Sequence, residues 1–362
     1  MEVNTIMSKV KVGVIGLGEI AQVAHLPILD SLSDKFEISA ICDISEQLLK
    51  HIGEKYKVEN LYTDAIKLTE QEDLDAVFIL NSTEYHVECA ISAVKNKKHV
   101  LVEKPLCHTF AEAQSLIEAR DKSGVQVMVG YMRRFAPAFI QAIEEVKNLE
   151  QIKYVRVRDI IGPNDYFTRQ ATVAKRFSDV PQSAVEDRYT KAHFMIKEAI
   201  GDDAPDELSP VYNFMGSLSC HDFSAMRELI GMPKKVLGAS RLANGGFMNV
   251  LFEYEGFNVN FETGTDAQGR FDAHIEVYAQ NKSIKIEYDT PYIRNLPITL
   301  TVTETVGDSY SQNVIRPTYT DPYTTEINYF YDMVTKGLTP KTTPEDAMED
   351  LAISKMIIDA LK

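Results

Sequence analysis

The segment "KVKVGVIGLGEIAQVAHLPILDSL", residues 9–32, restricts the fold more than any other part of the chain. An apolar run ending at Ile15 meets Gly16-Leu17-Gly18-Glu19-Ile20-Ala21 and passes at once into apolar positions at helical spacing. A strand that turns directly into a helix needs backbone freedom at the turn. In a GxGxxA sequence Gly16 supplies that freedom, Gly18 leaves the backbone open to a pyrophosphate, and Ala21 keeps the helix close to the sheet. The amide-rich start of the helix then favours an anion, and Gly16, Gly18, Glu19 and Ile20 are the residues placed to meet it.

The same alternation continues to about residue 130. "EISAICD", "LDAVFILNS", "HVLVEKP" and "VQVMVGY" read as strands, separated by the helical segments "ISEQLLKHIGEKY", "YHVECAISAVKNK" and "TFAEAQSLIEARDKSG". Apolar strands alternating with helices of this length form βαβ units and a parallel sheet covered on both faces. From Ile152 to about Arg316 the pattern changes to half-apolar alternation, as in "IKYVRVRDI", "FNVNFETG" and "SIKIEYD", which indicates a largely antiparallel sheet with one wetter face. Residues 162–210 form a charged stretch with one helix, and two helices close the chain, the last opened by Thr343-Pro344-Glu345-Asp346. The expected class is therefore α/β: a doubly wound Rossmann domain over 1–130 and an α+β domain with a large open sheet over 131–362. The last helix is expected to pack back toward the first domain.

Asp43 ends the second strand, 22 residues beyond Ala21. A carboxylate there accepts both ribose hydroxyls of NAD and repels a 2′-phosphate, so NAD is favoured over NADP. A net charge of −15 argues against a nucleic-acid or anionic-membrane partner. Cys42, Cys89, Cys107 and Cys220 are scattered, which suggests reduced thiols and no zinc site, and the histidines form no metal-ligand set. The opening residues lack the apolar core of a signal peptide and no run is long enough to span a bilayer, giving a cytoplasmic expectation.

"GLGEIA", "CD" at 42–43, "NSTEYH" at 81–86, "EKPL" at 103–106 and "GYMRRFAP" at 130–137 occur in an order that resembles the glucose–fructose oxidoreductase/inositol dehydrogenase family (Gfo/Idh/MocA). The resemblance covers the first 137 residues well and is looser beyond them. It implies that Glu103-Lys104-Pro105 lies beside the nicotinamide, with Lys104 on the reacting hydroxyl and Glu103 fixing both cofactor and lysine. It implies that Asn81, Ser82, Thr83 and His86 line the cofactor cleft, and that Arg134, more than Arg133, contacts nicotinamide or substrate. His86 has an equally plain reading as a residue satisfying backbone groups. His221 matches the family's helix histidine as a second catalytic residue beside Lys104. The aspartate that precedes it by four positions is Ser217 here, and the one that follows it by three is Ser224.

These features together imply an NAD-dependent oxidoreductase acting on a secondary alcohol of a sugar, cyclitol or polyol, as a homodimer or homotetramer built on the second sheet. Two alternatives stay open: a non-catalytic NAD(H)-binding regulator, for which Ser217 speaks, and an NAD-assisted glycosidase of the same fold.

Overall fold

The computed structural model describes residues 9–172, 174–242 and 246–362; the opening residues that bear on a signal peptide lie outside these. Six strands form the first sheet: β1 (Val10–Ile15), β2 (Phe36–Cys42), β3 (Asn60–Tyr62), β4 (Ala76–Ile79), β5 (His99–Glu103) and β6 (Val127–Gly130). Their order is β3-β2-β1-β4-β5-β6 and every pairing is parallel. β1, β4, β5 and β6 are almost wholly buried, so continuous apolar runs replace alternation, as expected for a sheet covered on both faces.

The second sheet has eight strands: β7 (Tyr154–Ile161), β8 (Lys235–Arg241), β9 (Phe247–Glu253), β10 (Asn258–Thr265), β11 (Phe271–Tyr278), β12 (Lys282–Tyr288), β13 (Thr299–Val306) and β14 (Ser309–Ile315). The order is β14-β13-β12-β11-β7-β10-β9-β8, antiparallel except for the β7–β10 pair. Val155, Val157, Phe261, Ile275 and Ile286 from its inner face pack against Phe139, Phe223 and Met226. Its outer face carries Tyr154, Arg156 and Arg158, with Glu262 bridging the two arginines.

The chain then returns to the first sheet. Pro322–Lys336 places Ile327, Phe330 and Met333 on one face of that sheet, beside Phe36 and Phe78. Thr342 pairs with the β6 edge, its backbone oxygen accepting from Val129 (2.8 Å) and its hydroxyl donating back to the Val129 carbonyl (2.6 Å). The closing helix Pro344–Leu361, capped by Thr343, gives Ala347 and Leu351 to the opposite face of the first sheet and Ile353, Ile357 and Ile358 to the core of the second. The two sheets are thus joined by a shared helix as well as by the chain between β6 and β7. Among the described residues no helix is long and apolar enough to cross a membrane.

Candidate functional site

The carboxyl ends of β1, β2, β4 and β5 meet at one cleft, the position where ligands bind open α/β sheets. Gly16 has φ +88, and a Cβ there would fall 2.5 Å from the Asn81 amide nitrogen. Only glycine lets the β1 turn pass this close to the end of β4. Gly18 is exposed, with nothing within 4 Å of where a Cβ would be, so the space in front of its backbone is open. Asp43 holds the turn from the side: Oδ2 accepts from the Leu17 amide (2.8 Å) and Oδ1 from the Ser45 amide (2.9 Å). Burial raises its pKa, against the lowering effect of the two amides.

Asn81 follows β4, its amide nitrogen 3.6 Å from the Cys89 sulfur and its buried Oδ1 without a partner among the described residues. Ser82 opens the single turn Thr83–Tyr85, and both Ser82 and Thr83 stay half-buried at the cleft. Glu19 is ion-paired with Arg176, leaving a second oxygen buried and without a partner among the described residues, and Ile20 packs on the first-sheet core. A glycine cradle with open space, flanked by unpartnered oxygens and by a carboxylate at the end of β2, suits a dinucleotide.

β5 ends in the second group of functional side chains. Glu103 is buried and pairs with His25 (Oε1 to Nε2, 2.7 Å), and its other oxygen accepts from the Lys104 amide (3.1 Å). Despite burial, the carboxyl is held below its usual range by His25 and Lys104. The Lys104–Pro105 peptide is cis, and the lysine ammonium donates to the Ser217 carbonyl (2.6 Å). His221 lies in the first turn of the helix Cys220–Ile230, which follows a π turn at Met215–Ser219. Burial, then the nearby Lys104 and Arg133 cations, push its pKa well below the ordinary value, so the imidazole is neutral, with Nδ1 buried and unpartnered among the described residues. Ser217 offers its backbone carbonyl to Lys104 while its hydroxyl turns back to Phe214.

Two of the expected residues have their polar groups engaged within the protein, and His86 fits the second of its two readings. His86 is buried between two carbonyls, Nδ1 2.9 Å from Pro105 O and Nε2 3.0 Å from Asn81 O. Both ring nitrogens are occupied, so His86 ties the end of β4 to the Lys-Pro turn and presents no free group to a cofactor. Arg134 is engaged by Glu228 (2.5 Å) and Asp346, away from the cleft. Its neighbour Arg133 is the arginine that acts on His221, and it reaches Asp222 (2.6 Å) and Asp159 (2.9 Å).

The residues that motif reading missed are His25, Asp159, Asp222 and Glu326. His25 was visible as a lone histidine four residues past Ala21; nothing local distinguished it from a core residue. Glu326 is wholly buried, and neither carboxylate oxygen has a partner among the described residues. Burial, with the Glu103 charge adding to it, pushes its pKa well above the ordinary value. The folded protein therefore keeps a proton that the unfolded chain releases above about pH 4.3, and stability falls as pH rises by up to about 1.4 kcal/mol per pH unit until the folded pKa is passed. Glu326→Gln is expected to match the wild type near pH 4 and to become progressively more stable than it toward pH 8, read from urea unfolding at each pH. Parallel pH profiles for the two proteins would refute a buried neutral Glu326.

Comparison with known proteins agrees with this geometry. Residues 10–131 match the model of an oxidoreductase family with an NAD-binding Rossmann fold (GFO_IDH_MocA). A myo-inositol 2-dehydrogenase from Thermotoga maritima is 38% identical over 138 residues, which span 38% of this chain and 41% of that enzyme. An inositol 2-dehydrogenase from Salmonella typhimurium is 24% identical over 335 residues, covering 91% of this chain and 87% of its own length. Among solved structures, a 3-ketoreductase from Actinomadura kijaniata in complex with NADP and TDP-benzene superposes with a TM-score of 0.73 at 19% identity, over 98% of each chain, a likeness of fold.

Proposed function

The chain belongs to the NAD-binding oxidoreductase family of glucose–fructose oxidoreductase and inositol dehydrogenase, and from that premise we propose that it transfers a hydride between NAD and a secondary alcohol of a sugar, cyclitol or related polyol. The observation that carries the reading is the convergence of Lys104 and a neutral His221 beyond the end of β5, next to the open glycine turn. In this reading Gly16, Gly18, Glu19, Ile20, Asn81, Ser82, Thr83 and Glu103 hold the dinucleotide, and Asp43 takes the adenosine ribose. Bound NAD supplies the hydride acceptor.

The protein's own part is to hold the alcohol and take its proton. Lys104 Nζ, steered by the Ser217 carbonyl, donates to the substrate oxygen. The imidazole of His221 is neutral and so is able to accept the hydroxyl proton. The Lys104 cation lowers the energy of negative charge developing on that oxygen. A backbone carbonyl thus holds the lysine here, while the family's helix aspartate is absent at position 217. The division of labour follows the sheets, a nucleotide unit over 1–130 and a substrate and assembly unit over 131–362. The outer face of the second sheet, with Tyr154 and Leu251 exposed among its charges, is the surface on which a homodimer or homotetramer would be built.

The test is incubation with NAD⁺ and a panel of cyclitols, aldoses and polyols, followed by reduced-nicotinamide absorbance. Accumulating NADH with one of them supports the dehydrogenase. Release of a leaving group without NADH would replace it with the glycosidase, and tight NADH binding with no turnover on any member would favour the regulator.

A further inference from the structure

Residues 174–179, beyond the helix Asn164–Ala171, run back across the nucleotide unit and touch it at four places. The Lys175 backbone forms a two-way pair with the Gln22 amide, its nitrogen donating to Oε1 (2.8 Å) and its carbonyl accepting from Nε2 (3.0 Å). Arg176 meets Glu19 in an ion pair. Phe177 packs on the first-sheet core and lies 6.1 Å from the His51 ring, centroid to centroid. Asp179 then reaches the start of the helix Glu46–Tyr56, accepting from the Ser45 hydroxyl (2.5 Å) and from the Gln47 amide (2.9 Å).

The last contact has chemical content beyond anchoring. Asp43 and Asp179 both converge on Ser45, one from the end of β2 through the Ser45 amide and one from the strap through the hydroxyl. If Asp43 takes the adenosine ribose hydroxyls, a phosphate on the 2′ oxygen would project toward the start of this same helix. There the first-turn amides and the helix dipole offer an anion its most favourable place. The Gln47 amide is already satisfied by a carboxylate of the protein itself. Arg176, the strap cation that a phosphate would seek, is engaged by Glu19.

We propose that Asp179 is a specificity-determining residue of the cofactor site: carried on the strap, its carboxylate takes the anion position at the start of the Glu46–Tyr56 helix and keeps a 2′-phosphorylated dinucleotide out. The inference rests on the reading of Asp43 as the ribose ligand. It assigns the preference for NAD over NADP to two carboxylates from distant parts of the chain, one of them 134 residues beyond the serine it contacts. Discrimination by repulsion is as effective as discrimination by added contacts, because only the difference in affinity matters.

The test is equilibrium binding, read from nicotinamide fluorescence, of NADH and NADPH to the full-length wild type, Asp179→Asn and Asp179→Ala. Asp179→Asn keeps an oxygen to accept from the Gln47 amide and an NH2 that can donate to the Ser45 hydroxyl oxygen while removing the charge, so its melting temperature serves as a check that the strap remains in place. The expected result is NADPH binding at least about tenfold tighter than in the wild type, with the NADH Kd changed by no more than about twofold. Asp179→Ala should move the NADPH-to-NADH ratio the same way. An unchanged ratio in both variants, or equal weakening of both nucleotides, would overturn the proposal and reduce Asp179 to a helix cap. Both of those outcomes leave NADH binding by the wild type intact. A wild type that binds neither nucleotide would instead remove the cofactor reading and this inference with it.

Discussion

Lys104→Met should lower kcat by ~10²–10⁴-fold, the usual worth of a positioned proton-handling group, while leaving the NADH Kd within about threefold of the wild type. The split follows from where the lysine sits. Its backbone amide is the part tied to Glu103, and that contact survives the substitution; its ammonium is the part aimed at the Ser217 carbonyl across the cleft. Methionine keeps the length and apolar stem but removes the donor that would hold the substrate oxygen. Glu103 should behave differently. Its carboxylate is buried against His25, so Glu103→Gln is expected to disturb the cleft itself and weaken NADH binding along with turnover. Steady-state kinetics with the best substrate of the panel, combined with NADH titration, separates the two. Equal kcat for Lys104→Met and wild type would remove Lys104 from the chemistry.

The parts of this site that could be read from the chain are those encoded within a few residues. Gly16, Gly18 and Ala21 announce themselves because a strand, a tight turn and a helix follow one another without a gap, and Asp43 and Lys104 because each ends an apolar strand at the same edge. The choice between Arg133 and Arg134 was not legible. They are neighbours in a single 3₁₀ turn, Met132–Phe135, where adjacent side chains leave in different directions and no periodicity tells which faces the cleft. Asp159 alternates correctly for a buried position on β7, yet an acid there reads as an interruption of the strand until Arg133 is placed beside it. β3 and β14 escaped notice for a related reason: three residues in one and an almost wholly exposed strand in the other leave no apolar pattern to see. The strap was beyond reach altogether, since Asp179 and Ser45 meet only after both sheets are built.

The larger effect on stability is expected from Arg133. Arg133 is 3% exposed, and its guanidinium donates to Asp222 and Asp159 and lies over the rings of Tyr288 (4.9 Å) and Phe271 (5.8 Å). Both carboxylates are fully buried, and each has a second oxygen without a partner among the described residues. One cation between two buried acids leaves the group short of positive charge, and burial, with Asp159 beside it, raises the Asp222 pKa well above the ordinary value against the pull of Arg133. Arg133→Met fills the space but strands the two acids, a loss of about 3–5 kcal/mol by the usual cost of halving a buried ion pair. The sign of the pH dependence of the deficit follows from losing the cation, whose pull lowers the Asp222 pKa in the wild type, so that in the variant it rises further above the unfolded value. An acid whose folded pKa lies above its unfolded value contributes fully below about pH 4 and loses that contribution as pH rises through the folded pKa. The deficit of Arg133→Met should therefore be small at pH 4–5 and greatest at pH 8, where the variant must either ionise buried acids or hold protons the unfolded chain would release. Adding Asp159→Asn and Asp222→Asn should restore a large part of the loss at pH 8 and little at pH 4, since neutral amides no longer need the cation. Urea unfolding of the single and triple variants at the two pH values decides it: a pH-independent deficit, or no rescue by the amides, would mean that Arg133 stabilises the protein through ring packing and not by neutralising the acids. Because the same guanidinium helps keep His221 neutral, the triple variant should refold without recovering the wild-type pH profile of turnover.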